Sequence, residues 1–405
     1  MTSQALTDAA TAQEGATAQD AARDQVEARI VDATEEAPEM WDALAVHSPR
    51  GEAFQGHAWG ELKRDTGWRP RRYRIEDASG PLAVISIQER ELLGPMARRL
   101  PGPLGRSTTV PLLAGRMLYA PLGPVLLQEG PVAVNRTFGA IQRIARSRRA
   151  ALLMMDPNWQ AGVGPAALLG EAGFRPAHRP IQVSTTGMLV PLEVDDVSQR
   201  KLLNENVWRN VTRSRKAGVE VVHYDSATPP GELDAALAVA YEMLAETGRR
   251  KGFAKHMRPA RYHNAGMRRL IHSGAASLWF ALHEGREVAH TLVHHCGRRA
   301  LLFQSAEGDV EHKRVPANFL LQWEIMRWAA GAGFTDYDMG GVDNHEARGL
   351  PADESHPLWS LFRFKSQWGA RPVQYCGAHE YSPWPLLGAS LRTGMRIVDR
   401  TRQGP

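Results

Sequence analysis

The stretch VAVNRTFGAIQRIARSRRAALLMMD, residues Val132–Asp156, decides the fold class. Its first part places apolar residues at the spacing of an amphipathic helix, and its second part is a short apolar run typical of a buried strand. The stretch PANFLLQWEIMRWAAGAGFTDYD, residues Pro316–Asp338, repeats this order of helix and then strand. Further strand patterns precede each copy. The sequence therefore predicts a duplicated α/β protein with two mixed β-sheets flanked by helices.

Composition excludes several classes of protein. The chain has 405 residues, 43% hydrophobic and 23% charged, which suits two or three domains with real cores. No apolar run approaches the ~18 residues that cross a bilayer, and the first residues lack the pattern of a signal peptide. The cysteines, Cys296 and Cys376, are too far apart in sequence for a CxxC pair, so we expect a protein of the reducing cytoplasm.

Charge is distributed unevenly along the chain. Residues 1–39 hold nine acidic and two basic residues, which leaves 47 basic against 35 acidic residues in the remainder. A basic body favours anionic partners such as phosphates, nucleic acid or a membrane surface. Residues 1–37 contain no aromatic side chain, and we expect them to form a disordered acidic tail with a marginal helix around Ala21–Val31.

Several familiar catalytic motifs are missing from the sequence. There is no GxxxxGK[ST] phosphate loop, no GxSxG nucleophile elbow and no HExxH helix. His290 and His294 would share one face of a strand, about 13 Å apart at ~3.3 Å per residue, which is too far to hold one ion. We therefore predict that these are structural histidines and that the chain has no metal site.

The layout of strands and helix is compatible with an acyltransferase of the N-acetyltransferase kind. Such enzymes usually hold the pyrophosphate of coenzyme A on a glycine-rich turn that enters a helix. The corresponding turn, AEGDVEHKRVP over residues 306–316, lacks the Q/RxxGxG/A pattern and carries Asp309 and Glu311. These carboxylates would repel a pyrophosphate. The sequence therefore disfavours coenzyme A, and we predict no cofactor.

Six segments, in order along roughly residues 40–385, resemble the FemABX family. They are Phe54–Trp68, Ala120–Val125, Ala151–Pro157, Asn210–Val221, Phe334–Val342 and Arg363–Tyr381. Members of this family are non-ribosomal peptidyltransferases that transfer amino acids from aminoacyl-tRNA to the stem peptide of peptidoglycan. The resemblance implies two tandem N-acetyltransferase-like domains, the first built from residues 38–192 plus 374–405 and the second from 193–373.

The resemblance implies a catalytic role for Lys365, which matches the Phe-Lys motif of the family. An aminoacyl ester is already activated, so transfer needs no enzyme nucleophile. A fixed cation near the developing oxyanion can contribute ~3–4 kcal/mol in a dry site. Phe364 would support the position of the lysine. The alternative is an ordinary lysine on a surface helix, but a chain with 42 arginines and seven lysines favours a specific role.

The resemblance also implies contacts to the acceptor, UDP-MurNAc-pentapeptide or lipid II. Lys63 is similar to the phosphate contact of the first domain. Arg258 and Tyr262 match an Arg-x-x-x-Tyr pair, and they would share one helical face if Pro259 lies in the first turn. His256 departs from the family pattern, which has a hydroxyl residue there, and other arginines flank Arg258.

Two further features bear on the acceptor and on the type of family member. Asp156 would either hydrogen-bond the acceptor or cap the turn that follows it, and the sequence leaves both interpretations open. Only some fifteen residues separate the helices predicted over Val197–Lys216 and Glu232–Glu246, and a strand fills most of them. The long helical arm of some members does not fit there. The chain resembles the compact, armless type, which implies a monomer without stable membrane insertion, in the cytoplasm or at the inner face of the membrane.

Three functional hypotheses follow. The first is an aminoacyl-tRNA-dependent peptidyltransferase that adds an amino acid to the side-chain amine of the stem peptide and so builds the interpeptide bridge. Glycine is the expected residue, with serine and alanine as alternatives. The second is a coenzyme-A-dependent N-acyltransferase acting on a small amine. The third is an RNA-binding module that has the fold without the chemistry.

Overall fold

The structure is a computed structural model that describes residues 27–91, 115–178, 181–308, 315–344, 347–389 and 392–393. The strands are β1 (Arg29–Asp32), β2 (Arg69–Asp77), β3 (Gly80–Glu91), β4 (Arg116–Ala120), β5 (Val125–Leu126), β6 (Ala150–Met155), β7 (Arg175–Pro176), β8 (Thr186–Pro191), β9 (Glu220–Tyr224), β10 (Ala276–His283), β11 (Arg286–Cys296), β12 (Arg299–Glu307), β13 (Asp336–Gly341), β14 (Arg371–Gln374) and β15 (His379–Tyr381). The α-helices are α1 (Pro38–Ala45), α2 (His57–Arg64), α3 (Pro131–Ser147), α4 (Asp196–Leu202), α5 (Glu205–Lys216), α6 (Pro230–Lys251), α7 (Ala260–His272), α8 (Ala317–Gly331) and α9 (Trp359–Ser366).

The strands form two mixed sheets. The first has the order β1-β2-β3-β4-β6-β15-β7, with β5 paired to β3, and the second has the order β14-β8-β13-β12-β11-β10-β9. In the first sheet β4 and β6 are parallel and α3 connects them, and in the second β12 and β13 are parallel and α8 connects them. The same unit of strand, helix and parallel strand therefore occurs in each sheet. This confirms the predicted α/β fold with two mixed sheets flanked by helices.

The elements that carry the duplication form where their patterns predict. Pro131 occupies the first position of α3, where a missing N–H costs nothing. The apolar face of α3 is buried through Val134, Phe138, Ile141 and Ala145. All six residues of β6 are buried, as expected for a central strand covered on both faces. Each buried large apolar side chain contributes roughly 1.5–3 kcal/mol to this packing.

A shared apolar core joins the two sheets. Besides one core cluster within each half, a third cluster combines Val84 and Val125 of the first sheet with Leu278 and Phe280 of the second. Trp41 of α1 belongs to it and is completely buried. Because both sheets contribute side chains to one continuous cluster, the two halves pack directly against each other rather than through a linker.

The chain crosses between the sheets earlier than the sequence suggests. β8 pairs with β13 and β14, so Thr186–Pro191 is part of the second sheet. The predicted end of the first half at residue 192 is therefore wrong, because strand pairing here is with segments about 150 residues later in the sequence, which no local pattern reveals. β15 pairs with β6 and β7 and so returns the end of the chain to the first sheet.

Order begins before residue 38. β1 pairs with β2 from Arg29↔Glu76 to Asp32↔Tyr73, so the expected disorder up to residue 37 and the marginal helix over Ala21–Val31 are both wrong from residue 29 onwards. Ile30 packs against the first core, which offsets the entropy of ordering this short strand. Residues 1–26 lie outside the described residues.

The predicted helix over Val197–Lys216 is divided into α4 and α5, because Asn204 has extended backbone angles and its side chain caps α5 by accepting a hydrogen bond from the backbone N–H of Asn206.

The turn carrying Asp309 and Glu311 lies outside the described residues. Nowhere in the described ranges is there a helix whose length and apolar composition would let it span a membrane.

Buried histidines predict that the fold is sensitive to acid. His290 and His294 are buried, and burial lowers the pKa of each to about 3. In the unfolded chain each histidine binds a proton near pH 6.5, whereas in the folded protein it stays neutral down to about pH 3. The free energy of unfolding therefore falls as the pH decreases below 6.5. The slope approaches ~1.4 kcal/mol per pH unit for each histidine. Between pH 7.5 and pH 5 the two histidines should together lower the free energy of unfolding by about 4 kcal/mol.

The measurement is urea unfolding at pH 7.5 and at pH 5 for the wild type and the His294→Leu variant. The ring of His294 stacks on Phe303, with centroids 4.1 Å apart, and neither ring nitrogen has a hydrogen-bond partner among the described residues. The variant should lose about half of the acid-induced destabilisation contributed by the pair. An unchanged pH dependence in the variant would contradict this assignment.

Candidate active site

Lys365 is held inside the second half of the molecule. It lies on α9, only 7% of its surface is exposed, and its Nζ donates a hydrogen bond to the carbonyl of Gly341 at 2.7 Å. Burial lowers the pKa of Lys365 to about 8, and the carboxylate of Asp338 opposes that shift. An ammonium has three N–H donors, and Gly341 is the single partner found for it within the described ranges. Its other two donors have no partner among the described residues.

The turn at the end of β13 is shaped around this lysine. The Oδ1 of Asp338 accepts a hydrogen bond from the N–H of Gly340 at 2.8 Å, and Gly340 has a φ of +77°. That backbone conformation favours glycine. A Cβ on Gly341 would lie 2.0 Å from the Oγ of Ser184, so the second glycine permits a close approach. The DMGG segment therefore has a structural reason for both glycines, which the sequence alone did not reveal.

Aromatic packing fixes the helix that carries Lys365. The ring of Phe364 lies edge-on to that of Phe319, with centroids 5.5 Å apart, and Trp368 stacks on Phe319 at 5.9 Å. Trp368 is completely buried. Phe364 thus packs α9 against α8, and its role in supporting Lys365 stays a prediction.

A buried polar network connects the Lys365 region to the first half. Arg299 on β12 contacts the carboxylate of Glu52 at 2.6 Å and that of Asp338 at 3.6 Å. The hydroxyl of Tyr375 is 3.3 Å from Arg299 and 3.4 Å from Asp338. Burial raises the pKa of Glu52. Sequence reasoning missed this network, because its members are far apart in the chain and carry no shared motif.

Lys63 and Tyr262 meet across the two halves. Lys63 lies on α2 and Tyr262 on α7, and the Nζ of the lysine is 3.5 Å from the tyrosine hydroxyl. The same Nζ lies over the ring of Trp59, 4.2 Å from its centroid. Burial, together with the positive charge of Arg258, lowers the pKa of Lys63 to about 8. Lys63, which was predicted separately from the pair Arg258 and Tyr262, therefore lies beside that pair.

Arg258 is placed differently from its prediction. α7 begins at Ala260 with Pro259 as its N-cap residue, so Arg258 precedes the helix and does not share a helical face with Tyr262. The reason is that Pro259 has extended backbone angles and so cannot belong to the first turn. Arg258 is exposed, and its carbonyl accepts a hydrogen bond from the hydroxyl of Tyr241.

The start of α7 is electrostatically suited to an anion. The first turn contains no acidic residue, and no side chain caps its free backbone N–H groups. These groups carry the positive end of the helix dipole. With Lys63, Arg258 and the hydroxyl of Tyr262 beside them, the junction of the two halves gathers donors and positive charge without a compensating carboxylate in the helix.

Asp156 is engaged inside the protein. Its carboxylate accepts hydrogen bonds from the hydroxyl of Tyr119 at 2.9 Å, the N–H of Leu122 at 2.8 Å and the Nε2 of Gln182 at 2.7 Å. Burial raises its pKa to about 6. It ties the end of β6 to the chain after β4, so the interpretation as a cap of the following turn is wrong. A contact to the acceptor remains a prediction.

β12 links the two cationic positions. Trp59 packs on Phe54 with centroids 4.2 Å apart, and Phe54 meets Phe303 of β12 at 5.7 Å. The carbonyl of the preceding residue, Leu302, lies 3.5 Å from where a Cβ of Gly340 would stand. One strand and its aromatic neighbours therefore run from the vicinity of Lys63 to the turn that holds Lys365.

Known proteins match this chain in sequence over most of its length. The family described as acetyltransferase (GNAT) domain matches residues 204–348. Lipid II:glycine glycyltransferase of Staphylococcus saprophyticus is 22% identical over 403 residues, which cover 84% of this chain and 90% of the relative. The enzyme of the same name from Staphylococcus aureus strain MRSA252 is 23% identical, with the same coverage.

Solved structures agree with these relatives. The crystal structure of FemX superposes with a TM-score of 0.70 and 19% identity, covering 88% of this chain and 98% of FemX. A Bacteroides thetaiotaomicron protein of unknown function superposes with a TM-score of 0.51 and 10% identity, covering 87% of this chain and 98% of its own. The resemblance to the FemABX family is thereby confirmed: the chain is a homologue of the lipid II:glycine glycyltransferases and has the fold of FemX.

Proposed function

We propose that this protein is an aminoacyltransferase that moves glycine from glycyl-tRNA to the side-chain amine of the peptidoglycan stem peptide, and so builds the interpeptide bridge. The observation that carries the proposal is the Lys365 ammonium, buried at the end of β13 with one donor used and two left for an anion. The relatives are named lipid II:glycine glycyltransferases, and this name supports glycine as the transferred amino acid and lipid II as the acceptor.

The chemistry needs no group beyond those of the substrates and this cation. The acceptor amine attacks the carbonyl carbon of the aminoacyl ester, and the carbonyl oxygen becomes an oxyanion. As the tetrahedral intermediate collapses, the new C–N bond remains and the ester C–O bond breaks. The ribose hydroxyl leaves with the electron pair, and the proton released by the attacking nitrogen neutralises it. Lys365 stabilises the oxyanion by ~3–4 kcal/mol, as fixed donors in dry sites do.

The acceptor would bind where the two halves meet. Its diphosphate suits the donors at Lys63, Arg258, Tyr262 and the start of α7, since phosphate groups favour helix N-termini and charge-assisted hydrogen bonds. The stem peptide would then follow β12 toward Lys365. Only residues 217–229, which include β9, separate α5 from α6, so the described structure has room for no helical arm there. We propose a monomer that works at the cytoplasmic face of the membrane, where tRNA and the lipid-linked precursor are both present.

The experiment is transfer of radiolabelled glycine from glycyl-tRNA to purified lipid II, with mass spectrometry of the product. A mass increase of one glycine residue, located on the side-chain amine, is expected. Seryl-tRNA and alanyl-tRNA serve as competing donors and UDP-MurNAc-pentapeptide as the competing acceptor. Absence of transfer from all three charged tRNAs to either acceptor would refute the proposal.

A coenzyme-A-dependent N-acyltransferase is the second candidate, because the matching family over residues 204–348 is described as an acetyltransferase domain. Isothermal titration with acetyl-coenzyme A separates the two. Micromolar binding, together with acetyl transfer to a small amine, would favour this candidate over the tRNA-dependent reaction.

A further inference from the structure

We propose that an exposed basic segment beside the acceptor site docks on the anionic surface of a membrane. We call this segment the basic rim. It consists of Arg249, Arg250, Lys251, Lys255, Arg258 and Arg261, at the end of α6 and the start of α7. The inference rests on the proposed function, because it takes the contact between Lys63 and Tyr262 as the position of the acceptor's diphosphate.

No carboxylate of the described residues forms an ion pair with the basic rim, and the nearest acid on α6, Glu246, lies one turn before Arg249 and Arg250. All six side chains are exposed, and none takes part in an ion pair anywhere in the described structure. Residues 247–283 contain no Asp or Glu. The two acids of the adjacent first half are already engaged, since Glu61 pairs with Arg72 and Asp65 pairs with Arg269.

A favourable interaction with a helix dipole explains the position of only three of these six cations. Arg249, Arg250 and Lys251 lie in the last turn of α6, where positive charge interacts favourably with the helix dipole. Arg258 and Arg261 lie at the N-terminal end of α7, where the dipole disfavours positive charge. Arg258 has a partner in the proposed diphosphate site, but Arg261 and Lys255 have none, and they indicate a further anionic partner outside the chain.

Position identifies the partner as a membrane. The basic rim borders the junction of α2 and α7, because Arg258 and Arg261 flank the start of α7 and Tyr262 of the same turn contacts Lys63 at 3.5 Å. In a lipid-linked acceptor the diphosphate is joined directly to the lipid, so the headgroup layer must lie immediately outside the site that binds the diphosphate. Aminoacyl-tRNA must instead bring its ester to Lys365, at the end of β13. A cluster of four to eight exposed Lys and Arg is typical of segments that bind anionic lipid surfaces.

The test is co-sedimentation of the full chain with vesicles of phosphatidylcholine, with and without phosphatidylglycerol. The wild type should bind the anionic vesicles, bind pure phosphatidylcholine weakly, and be released by about 0.5 M salt, since screening shortens the reach of the charges. A variant carrying R249Q, K251Q, K255Q and R261Q should bind the anionic vesicles roughly 20-fold more weakly or worse, because each cation near the surface contributes a severalfold gain. Arg258 is left intact because it belongs to the proposed acceptor site.

The matched control removes the same charge elsewhere. A variant carrying R149Q, R175Q, K201Q and K216Q changes four exposed cations outside the basic rim and should keep its vesicle affinity within about threefold. Equal losses in both variants would show a general charge effect and overturn the proposal. So would the absence of wild-type binding to anionic vesicles.

Two further measurements separate the alternatives. If the rim variant keeps its vesicle affinity but loses binding of a tRNA acceptor-stem minihelix, the basic rim binds RNA and the proposal is wrong. With the soluble nucleotide as acceptor, the rim variant should transfer glycine at the wild-type rate, whereas with lipid II in anionic vesicles the rate should fall at least tenfold. Vesicle binding requires no transfer, so a wild type that binds vesicles but transfers nothing would refute the proposed function and leave the membrane surface standing.

Discussion

Replacing Lys365 with methionine is expected to lower kcat by a factor of about 10²–10³, the usual loss when one donor to an oxyanion is removed. Methionine keeps an unbranched side chain of similar length in the buried space beside Gly341, so α9 should stay packed against α8. The KM for the acceptor should change less than about threefold, because the lysine acts on the transition state rather than on the bound ground state. Steady-state transfer assays at saturating glycyl-tRNA measure both constants.

The pH dependence of kcat provides an independent readout for the same residue. The pKa of Lys365 is lowered to about 8 by burial, so kcat should fall as the pH rises above 8 and the ammonium loses its proton. The decline should be absent in the Lys365→Met variant. The Asp338 carboxylate raises the pKa of this lysine, so Asp338→Asn, which keeps an oxygen for the N–H of Gly340, should move the decline to lower pH.

Lys201→Met is the control, since Lys201 is an exposed lysine of α4 outside the site. It should leave kcat and its pH profile unchanged. A Lys365→Met enzyme with wild-type kcat would remove the basis of the proposed mechanism.

Replacing Lys63 with methionine should weaken acceptor binding by a factor of about 10–100, the cost of losing a charge-assisted hydrogen bond to phosphate. The value of kcat at saturating acceptor should stay within about threefold, which is the reverse of the pattern expected for Lys365. Tyr262→Phe removes only a hydroxyl and should cost less. Isothermal titration with UDP-MurNAc-pentapeptide measures the affinity directly.

The affinity for the acceptor should also depend on pH. The pKa of Lys63 is lowered to about 8, so the dissociation constant should rise above pH 8 in the wild type. In a Lys63→Arg variant the side chain stays charged, and this rise should disappear. A Lys63→Met variant that binds the acceptor as tightly as the wild type but turns over slowly would place the residue with the reacting groups instead.

The prediction from sequence succeeded where the signal was local. The 3.6-residue spacing of Val134, Phe138 and Ile141 defines α3, and the apolar run of β6 needs no distant partner to be recognised. The scarcity of lysine, with seven lysines against 42 arginines, directed attention to Lys63 and Lys365, and burial lowers the pKa of both in the structure. The prediction failed where a strand pairs with a segment far away in the sequence. It assigned β8 to the first sheet instead of the second, and it assigned β1 to a disordered tail.

Sequence by itself determined the order of helices and strands, their duplication and the residue types available for chemistry, because periodicity and composition depend on neighbours along the chain. Only the tertiary structure decided that Lys63 faces Tyr262, that Asp338 shapes the turn beneath Lys365, and that Glu52 and Arg299 pair between the halves. These contacts join residues up to 247 positions apart. They form because two sheets bury one continuous apolar core, and that burial brings together side chains that no spacing along the chain relates.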